Sequence, residues 1–101
     1  QSIKDRKNLG SNGYLEVTIL ITPKGNIHNS PIATFRGLPI YEREEFLYGL
    51  EDEIEKTTRS FNLGNKKQEH NLIDALKIAC RRFTKEKTGK KPFTNINLVK
   101  I

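Results

Sequence analysis

The clearest hydrophobic pattern in the chain is an alternation near its start. Between residues 14 and 21, apolar side chains occupy every second position: Leu15, Val17, Ile19 and Ile21. A period of two that includes β-branched residues predicts a strand with one buried face. Leu20 departs from the pattern, because it puts an apolar side chain on the opposite face.

Two further segments are predicted to be strands. The turn residues Thr-Pro-Lys-Gly-Asn at 22–26 lead into an extended stretch over 27–36. Pro31 lacks a backbone donor there, which predicts an edge strand or a bulge. The last strand is expected over 93–101. Ile96 and Leu98 would lie on one of its faces, and Val99 and Ile101 on the other.

Two amphipathic helices lie between the second and third strands. Over 41–61, residues three or four apart form a stripe: Phe46, Leu47, Leu50, Ile54, Thr57 and Phe61. Over 67–87, a second stripe follows: Leu72, Leu76, Ala79, Cys80 and Phe83. Leu63-Gly64-Asn65 is typical of a helix end, and Pro92 prevents the second helix from continuing.

The order of elements is therefore ββααβ. Two antiparallel helices can cover only one face of a three-stranded sheet, so the sequence predicts a two-layer α+β domain whose other sheet face is open.

Length and composition agree with one small domain. The chain has 101 residues, 35% hydrophobic and 30% charged, with a net charge of +6. One cysteine excludes an internal disulfide framework, and Cys80 is expected to be a buried thiol in a cytoplasmic protein. The sequence contains neither a membrane-spanning apolar run nor a secretory signal. Because the chain opens with Gln1, we expect an excised piece, with a linker at 1–12 and the domain at 13–101.

Charged residues are segregated along the two helices. Residues 42–55 hold seven acids and one base, whereas 77–91 hold seven bases and one acid. One interpretation is a pair of solvated helix faces that attract each other. The other is that the basic end contacts RNA phosphates without sequence specificity, through Arg81, Arg82, Lys85, Lys87, Lys90 and Lys91. No aromatic RNA-binding motif accompanies these residues.

The outer sheet face offers a candidate for self-association. Four apolar residues fall where a lone domain would carry polar groups: Leu20, Ile32, Val99 and Ile101. Exposed apolar residues are common when scattered, whereas a contiguous set favours contact with another subunit or domain.

Catalytic chemistry finds no support in the residues. His28 and His70 are far apart and have no cysteine or carboxylate at ligand spacing, so no metal site is predicted. The carboxylates of the first helix lack the pocket that acid–base catalysis needs. A small enzyme in its own right therefore has no residue constellation behind it.

Three motifs resemble a known family. They are Arg6-Lys7-Asn8-Leu9 followed by Gly13-Tyr14-Leu15-Glu16-Val17, then Phe35-Arg36-Gly37-Leu38-Pro39, then Lys87-Thr88-Gly89-Lys90-Lys91-Pro92. In order and spacing they resemble the C-terminal domain of ribonuclease J, of the metallo-β-lactamase and β-CASP nucleases. That domain has a three-stranded sheet against two helices. Within these motifs Arg36, Gly37 and Pro92 are expected to be structural, and Gly37 suits a sharp strand exit that needs positive φ.

The resemblance implies a noncatalytic domain of a zinc-dependent 5′-to-3′ exo- and endoribonuclease. The zinc ligands of the family lie N-terminal to this region, so no catalytic residue and no cofactor are expected in this chain. Expected partners are the catalytic domains, a second subunit and, weakly, RNA. The alternative is a free-standing α+β RNA-binding module that uses the basic helix end.

Overall fold

The computed structural model describes residues 12–61 and 66–101, and their elements follow the predicted ββααβ order. The predicted linker (except Asn12), the Arg6–Leu9 motif and the 63–65 helix end lie outside the described residues. The elements are β1 (Tyr14–Ile21), β2 (Ile27–Arg36), α1 (Arg43–Thr58), α2 (Lys66–Thr88) and β3 (Phe93–Lys100).

The three strands form one mixed sheet in the order β2-β1-β3. β1 is therefore central, antiparallel to β2 and parallel to β3. A parallel pair needs a crossover connection, and the two helices between β2 and β3 supply it. The predicted α+β class is confirmed, whereas the strand order did not follow from the sequence pattern.

The core lies between the sheet and the helices, and β1 contributes its centre. Leu15, Val17, Ile19 and Ile21 are all at most 1% exposed. The helices supply Phe46, Leu50, Ile54, Leu72, Leu76, Cys80 and Phe83, and β3 supplies Ile96. The stripe predicted for α2 is fully buried.

The first helix is shorter than predicted. It spans 43–58 instead of 41–61, and Phe61 packs against the core from beyond its end. Thr58 is the buried residue of the last turn, whereas Thr57, which we placed in the stripe, is half-buried. Both threonine hydroxyls donate to carbonyls of the preceding turn, at 2.9 and 3.0 Å. A pattern of apolar spacing does not register such local hydroxyl bonds.

Strand β2 is an edge strand that also carries a bulge, so both outcomes expected from Pro31 are present. The register with β1 shifts between Thr18 and Leu20, which pair with Ile32 and His28. Asn29 has a φ of 59° within the bulge. The bulge keeps Ile32 and His28 on the same face as their partners.

Neither α1 nor α2 nor any other helical segment in the described part of the chain has the length and apolarity to cross a membrane.

Candidate functional site

The sheet face turned away from the helices is the main candidate surface, and we call it the open face. Its centre is formed by the β1 residues that alternate with the core: Tyr14, Glu16, Thr18 and Leu20. Strand pairing sets four rows across the three strands. The rows are Arg36–Tyr14–Phe93, Thr34–Glu16–Asn95, Ile32–Thr18–Asn97 and His28–Leu20–Val99.

All four predicted self-association residues lie toward one end of the open face. Leu20 is the register partner of Val99, and the Ile101 backbone N–H donates to the carbonyl of Ile21 at 3.0 Å. Leu20 is half-buried, while Ile32, Val99 and Ile101 are 57%, 41% and 54% exposed. The alternating pattern thus placed these residues together on a surface that no helix covers. We call them the apolar end.

The opposite end of the open face carries an aromatic pair that the sequence did not reveal. The rings of Tyr14 and Phe93 stack with centroids 6.0 Å apart and planes 12° from parallel. Arg36 is the register partner of Tyr14 on the other side. The two aromatics are far apart in sequence, so only the parallel pairing of β1 with β3 brings them together. A signal did exist, because Phe93 is in phase with Val99 and Ile101. We call Arg36, Tyr14 and Phe93 the aromatic row.

A polar network separates the two ends. The Asn95 amide donates to Glu16 Oε2 at 3.1 Å, and the Asn97 amide donates to the same oxygen at 3.4 Å. These two hydrogen bonds lower the pKa of Glu16 and keep it ionised, and the bond from Asn95 has the larger effect. Partial burial and the neighbouring Glu16 carboxylate raise the pKa of Tyr14. The open face therefore carries one fixed negative charge at its middle.

The six cations predicted to contact RNA lie on different sides of the end of α2 and in the loop that follows it. Arg81, Arg82 and Lys85 are exposed on α2, away from the buried stripe and hence from the sheet. Lys87 lies over the ring of Phe83, 5.6 Å from its centroid. Lys90 follows the helix, and its Nζ lies 3.4 Å from the carbonyl oxygen of Gly37. Lys91 is exposed next to it.

The acidic run of α1 forms ion pairs within the helix and with the residue just beyond its end. Asp52 pairs with Lys56 at 3.2 Å, and Glu55 pairs with Arg59 at 3.4 Å. Across the described ranges, no ion pair joins the acids of 42–55 to the bases of 77–91. Both runs are thus mainly solvated.

The histidines and the cysteine lie apart from one another. His28 is on β2 in the last row of the open face, while His70 on α2 lies 3.4 Å from Asp74. Over residues 12–61 and 66–101, no three His, Cys, Asp or Glu side chains are grouped so as to hold a metal ion. Cys80 is fully buried, as predicted, and burial raises its pKa to about 12. The thiol is therefore not a nucleophile at neutral pH.

The described parts of the three motifs meet at the end of the sheet that carries the aromatic row. Gly37 has the predicted positive φ, 69°. A Cβ atom built on Gly37 would lie 3.3 Å from the Cα of Gly13. The Phe93 N–H donates to the carbonyl of Gly13 at 3.0 Å. Pro92 is buried beside it, while Arg36 is exposed. The described motif residues thus lie where β1 starts, where β2 ends and just before β3 starts.

Comparison with known families agrees with this convergence. The family model described as Ribonuclease J C-terminal domain matches residues 1–100. The chain belongs to this family. A search of curated proteins gave no significant match. The match to the ribonuclease J C-terminal domain family covers all five elements of the ββααβ order and the three motifs.

Proposed function

We propose that this ribonuclease J domain supports self-association and positions the catalytic core of a zinc-dependent 5′-to-3′ exo- and endoribonuclease. The enzyme would act in RNA processing and decay in the cytoplasm. The observation that carries the proposal is the apolar end of the open face. Three exposed branched aliphatic residues there surround Leu20 on a surface that neither helix covers.

The physical argument concerns burial. A contiguous apolar patch on one side of a two-layer domain gains free energy when a second surface removes it from water. The open face of the sheet can form an isologous contact, in which the same surface of two subunits meets. Such a contact holds two catalytic cores in a fixed arrangement, which changes activity without donating a reactive group.

Zinc enters the proposal only through the rest of the enzyme. Within residues 12–61 and 66–101, no three His, Cys, Asp or Glu side chains converge, so we assign no zinc site to this part of the chain. The metal would be held by residues of the catalytic region, where it activates water for phosphodiester hydrolysis. No step of that hydrolysis is assigned to this chain.

The decisive experiment is Val99→Asp in the full ribonuclease J that contains this domain. Sedimentation velocity should show loss of the oligomer, because a carboxylate on an apolar contact must be desolvated without a partner. Ribonuclease activity per subunit should fall with it. The matched control is Ile78→Asp, which changes an aliphatic residue 57% exposed on α2. An oligomer that survives Val99→Asp, or is lost equally with Ile78→Asp, would contradict the proposal.

A second measurement addresses the noncatalytic role. The 101-residue chain, incubated with zinc and 5′-phosphorylated RNA, should leave the RNA intact. Cleavage above a mock preparation would show a catalytic group in this domain. The free-standing RNA-binding alternative makes a different prediction. There, neutralising Arg81, Arg82 and Lys85 together abolishes micromolar RNA binding by this chain, while Val99→Asp has no effect on the oligomeric state.

A further inference from the structure

The aromatic row is a different kind of surface from the apolar end. Phe93 is 59% exposed, although burying its aromatic ring would remove a large apolar area from water. Its partner Tyr14 is half-buried and holds a stacked ring beside it. The exposed ring of Phe93, stacked against Tyr14, presents an aromatic platform at the surface of the sheet.

Positive charge surrounds this platform on two sides. Arg36 borders it across the strand pair with β2. Lys90 Nζ lies 3.4 Å from the carbonyl oxygen of Gly37, the residue after Arg36, and Lys91 lies two residues before Phe93. Among the described residues of the open face, Glu16 is the carboxylate one row further in, and the two asparagine amides bond to it.

Exposed rings flanked by cations suit single-stranded nucleic acid. Bases stack on aromatic side chains, and Arg and Lys hold the phosphates on either side. A second copy of the chain is better suited to the other end. Tyr14 and Leu20 are six residue steps apart along β1, about 20 Å at roughly 3.3 Å per step. Because the two ends are this far apart, one can bind a base while the other is covered.

We propose that the aromatic row binds a base of single-stranded RNA. The base stacks on the exposed ring of Phe93, which Tyr14 backs, and Arg36, Lys90 and Lys91 contact the adjoining phosphates. The choice of RNA over DNA rests on the proposed function; the platform itself does not depend on it. The site is also distinct from Arg81, Arg82 and Lys85, which point away from the sheet.

A direct probe is available because the chain contains no tryptophan. Phe93→Trp keeps an aromatic ring at the site and provides a single indole reporter. Octaadenylate should quench its fluorescence saturably, since a stacked base contacts the indole. An eight-unit abasic ribose-phosphate oligomer, which has the same charge, should leave it unquenched.

Affinity measurements test the same contact without a reporter. By fluorescence anisotropy with labelled octaadenylate, Phe93→Leu should weaken binding about tenfold, in line with the loss of one stacked base. The matched control is Tyr48→Leu, which removes a ring 71% exposed on α1 and should leave affinity unchanged. Arg36→Gln should reduce the magnitude of the salt slope by about 0.7, one phosphate contact on a single strand.

Three results would overturn the proposal. One is equal quenching by octaadenylate and the abasic oligomer; another is equal RNA affinity of Phe93→Leu and Tyr48→Leu. The third is a change in oligomeric state with Phe93→Leu while RNA affinity stays constant, which would make the row part of a protein interface. Loss of the oligomer with Val99→Asp is scored separately, so the two proposals fail independently.

Discussion

The ring of Phe83 occupies the space beside Gly49, where helix α1 meets helix α2. A Cβ atom built on Gly49 would lie 2.5 Å from Cζ and 3.0 Å from Cε1 of that ring. Phe83 is also fixed from other directions, since its centroid is 5.5 Å from that of Phe46 and Lys87 lies over its face. The absence of a side chain at position 49 therefore permits the close approach of the two helices.

Gly49→Ala is expected to destabilise the fold. In an isolated helix this change would add about 1 kcal/mol of stability. Here the new methyl group must displace a buried ring, and overpacking of this kind costs about 1–3 kcal/mol. We expect a net loss of about 1 kcal/mol in the free energy of unfolding. The measurement is the midpoint of urea unfolding, monitored by circular dichroism at 222 nm, which should fall.

The control is the same change in a Phe83→Leu background. Leucine removes the ring atoms that meet position 49, so Gly49→Ala should there be neutral or stabilising. The difference between the two backgrounds measures the coupling of the pair. An equal effect in both backgrounds would show that Phe83 is not the cause.

Periodicity was sufficient for the layers of this fold but not for the order of its strands. Two patterns directly reflect which side chains are buried: the alternation of Leu15 to Ile21 and the stripe from Leu72 to Phe83. These segments were predicted closely. Strand order depends on which edges pair after the helical crossover, and no local pattern encodes that choice. The parallel pairing of β1 with β3 consequently had to come from the structure.

The candidate site shows the same division. Leu20 and Val99 break the expected polar pattern of an outer face, so they were visible in the sequence. Tyr14 and Phe93 become a pair only through strand register. The basic residues of 77–91 are close together in sequence, but sequence spacing does not show in which direction each side chain points. The turn of α2 and the loop after it send Arg81 and Lys90 to different layers.

Gly13 is expected to be more sensitive to substitution than Gly89, although both have positive φ, 82° and 78°. A Cβ at Gly13 would lie 2.9 Å from the carbonyl oxygens of Arg36 and Gly37, which are backbone atoms. At Gly89 nothing lies within 4 Å. Gly89→Ala should therefore cost only the left-handed strain, about 1–2 kcal/mol. Gly13→Ala should cost clearly more.

Chemical denaturation of the two alanine variants measures this difference, with Gly89→Ala as the matched control for φ. The Gly13 carbonyl also accepts the Phe93 N–H, so a displaced Gly13 should loosen the start of β3. Hydrogen exchange at Phe93 should accelerate in Gly13→Ala alone. Equal losses in the two variants would mean that conformation, and not contact with β2, determines the cost.

Glu16 is expected to make stability depend on pH in the acidic range. Its folded-state pKa lies below the ordinary value of 4.5 because the Asn95 and Asn97 amides bond to the carboxylate. A lowered pKa stabilises the fold above the unfolded-state value, and this contribution is lost as pH falls through the folded-state pKa. The stability difference between the wild type and Glu16→Gln should be largest above pH 5 and should shrink toward pH 3.

Urea titrations at half-unit pH steps give this difference directly. The control places Glu16→Gln in an Asn95→Ala/Asn97→Ala background, where the donors are absent and the pH-dependent part should be much smaller. A difference that is constant from pH 3 to pH 7, or one that survives removal of both asparagines, would rule out the amides as the cause.

Cys80 is expected to react only when the domain opens. Burial, with a contribution from Glu53, raises the pKa of its thiol from 9.0 to about 12, so the reactive thiolate is scarce at pH 8 and the sulfur is shielded from reagents. Labelling with a disulfide reagent should be slow in buffer and should accelerate with urea in parallel with unfolding. Ser60→Cys supplies an exposed thiol just beyond α1 and should label at once.

The same raised pKa of Cys80 means that the folded chain binds the thiol proton more tightly than the unfolded chain. This contribution to stability is therefore complete below pH 9 and declines as pH rises toward 12. Cys80→Ala should remove that part of the alkaline decline. Fast labelling of Cys80 in buffer, at the rate of Ser60→Cys, would contradict the closed core that both helices form around it.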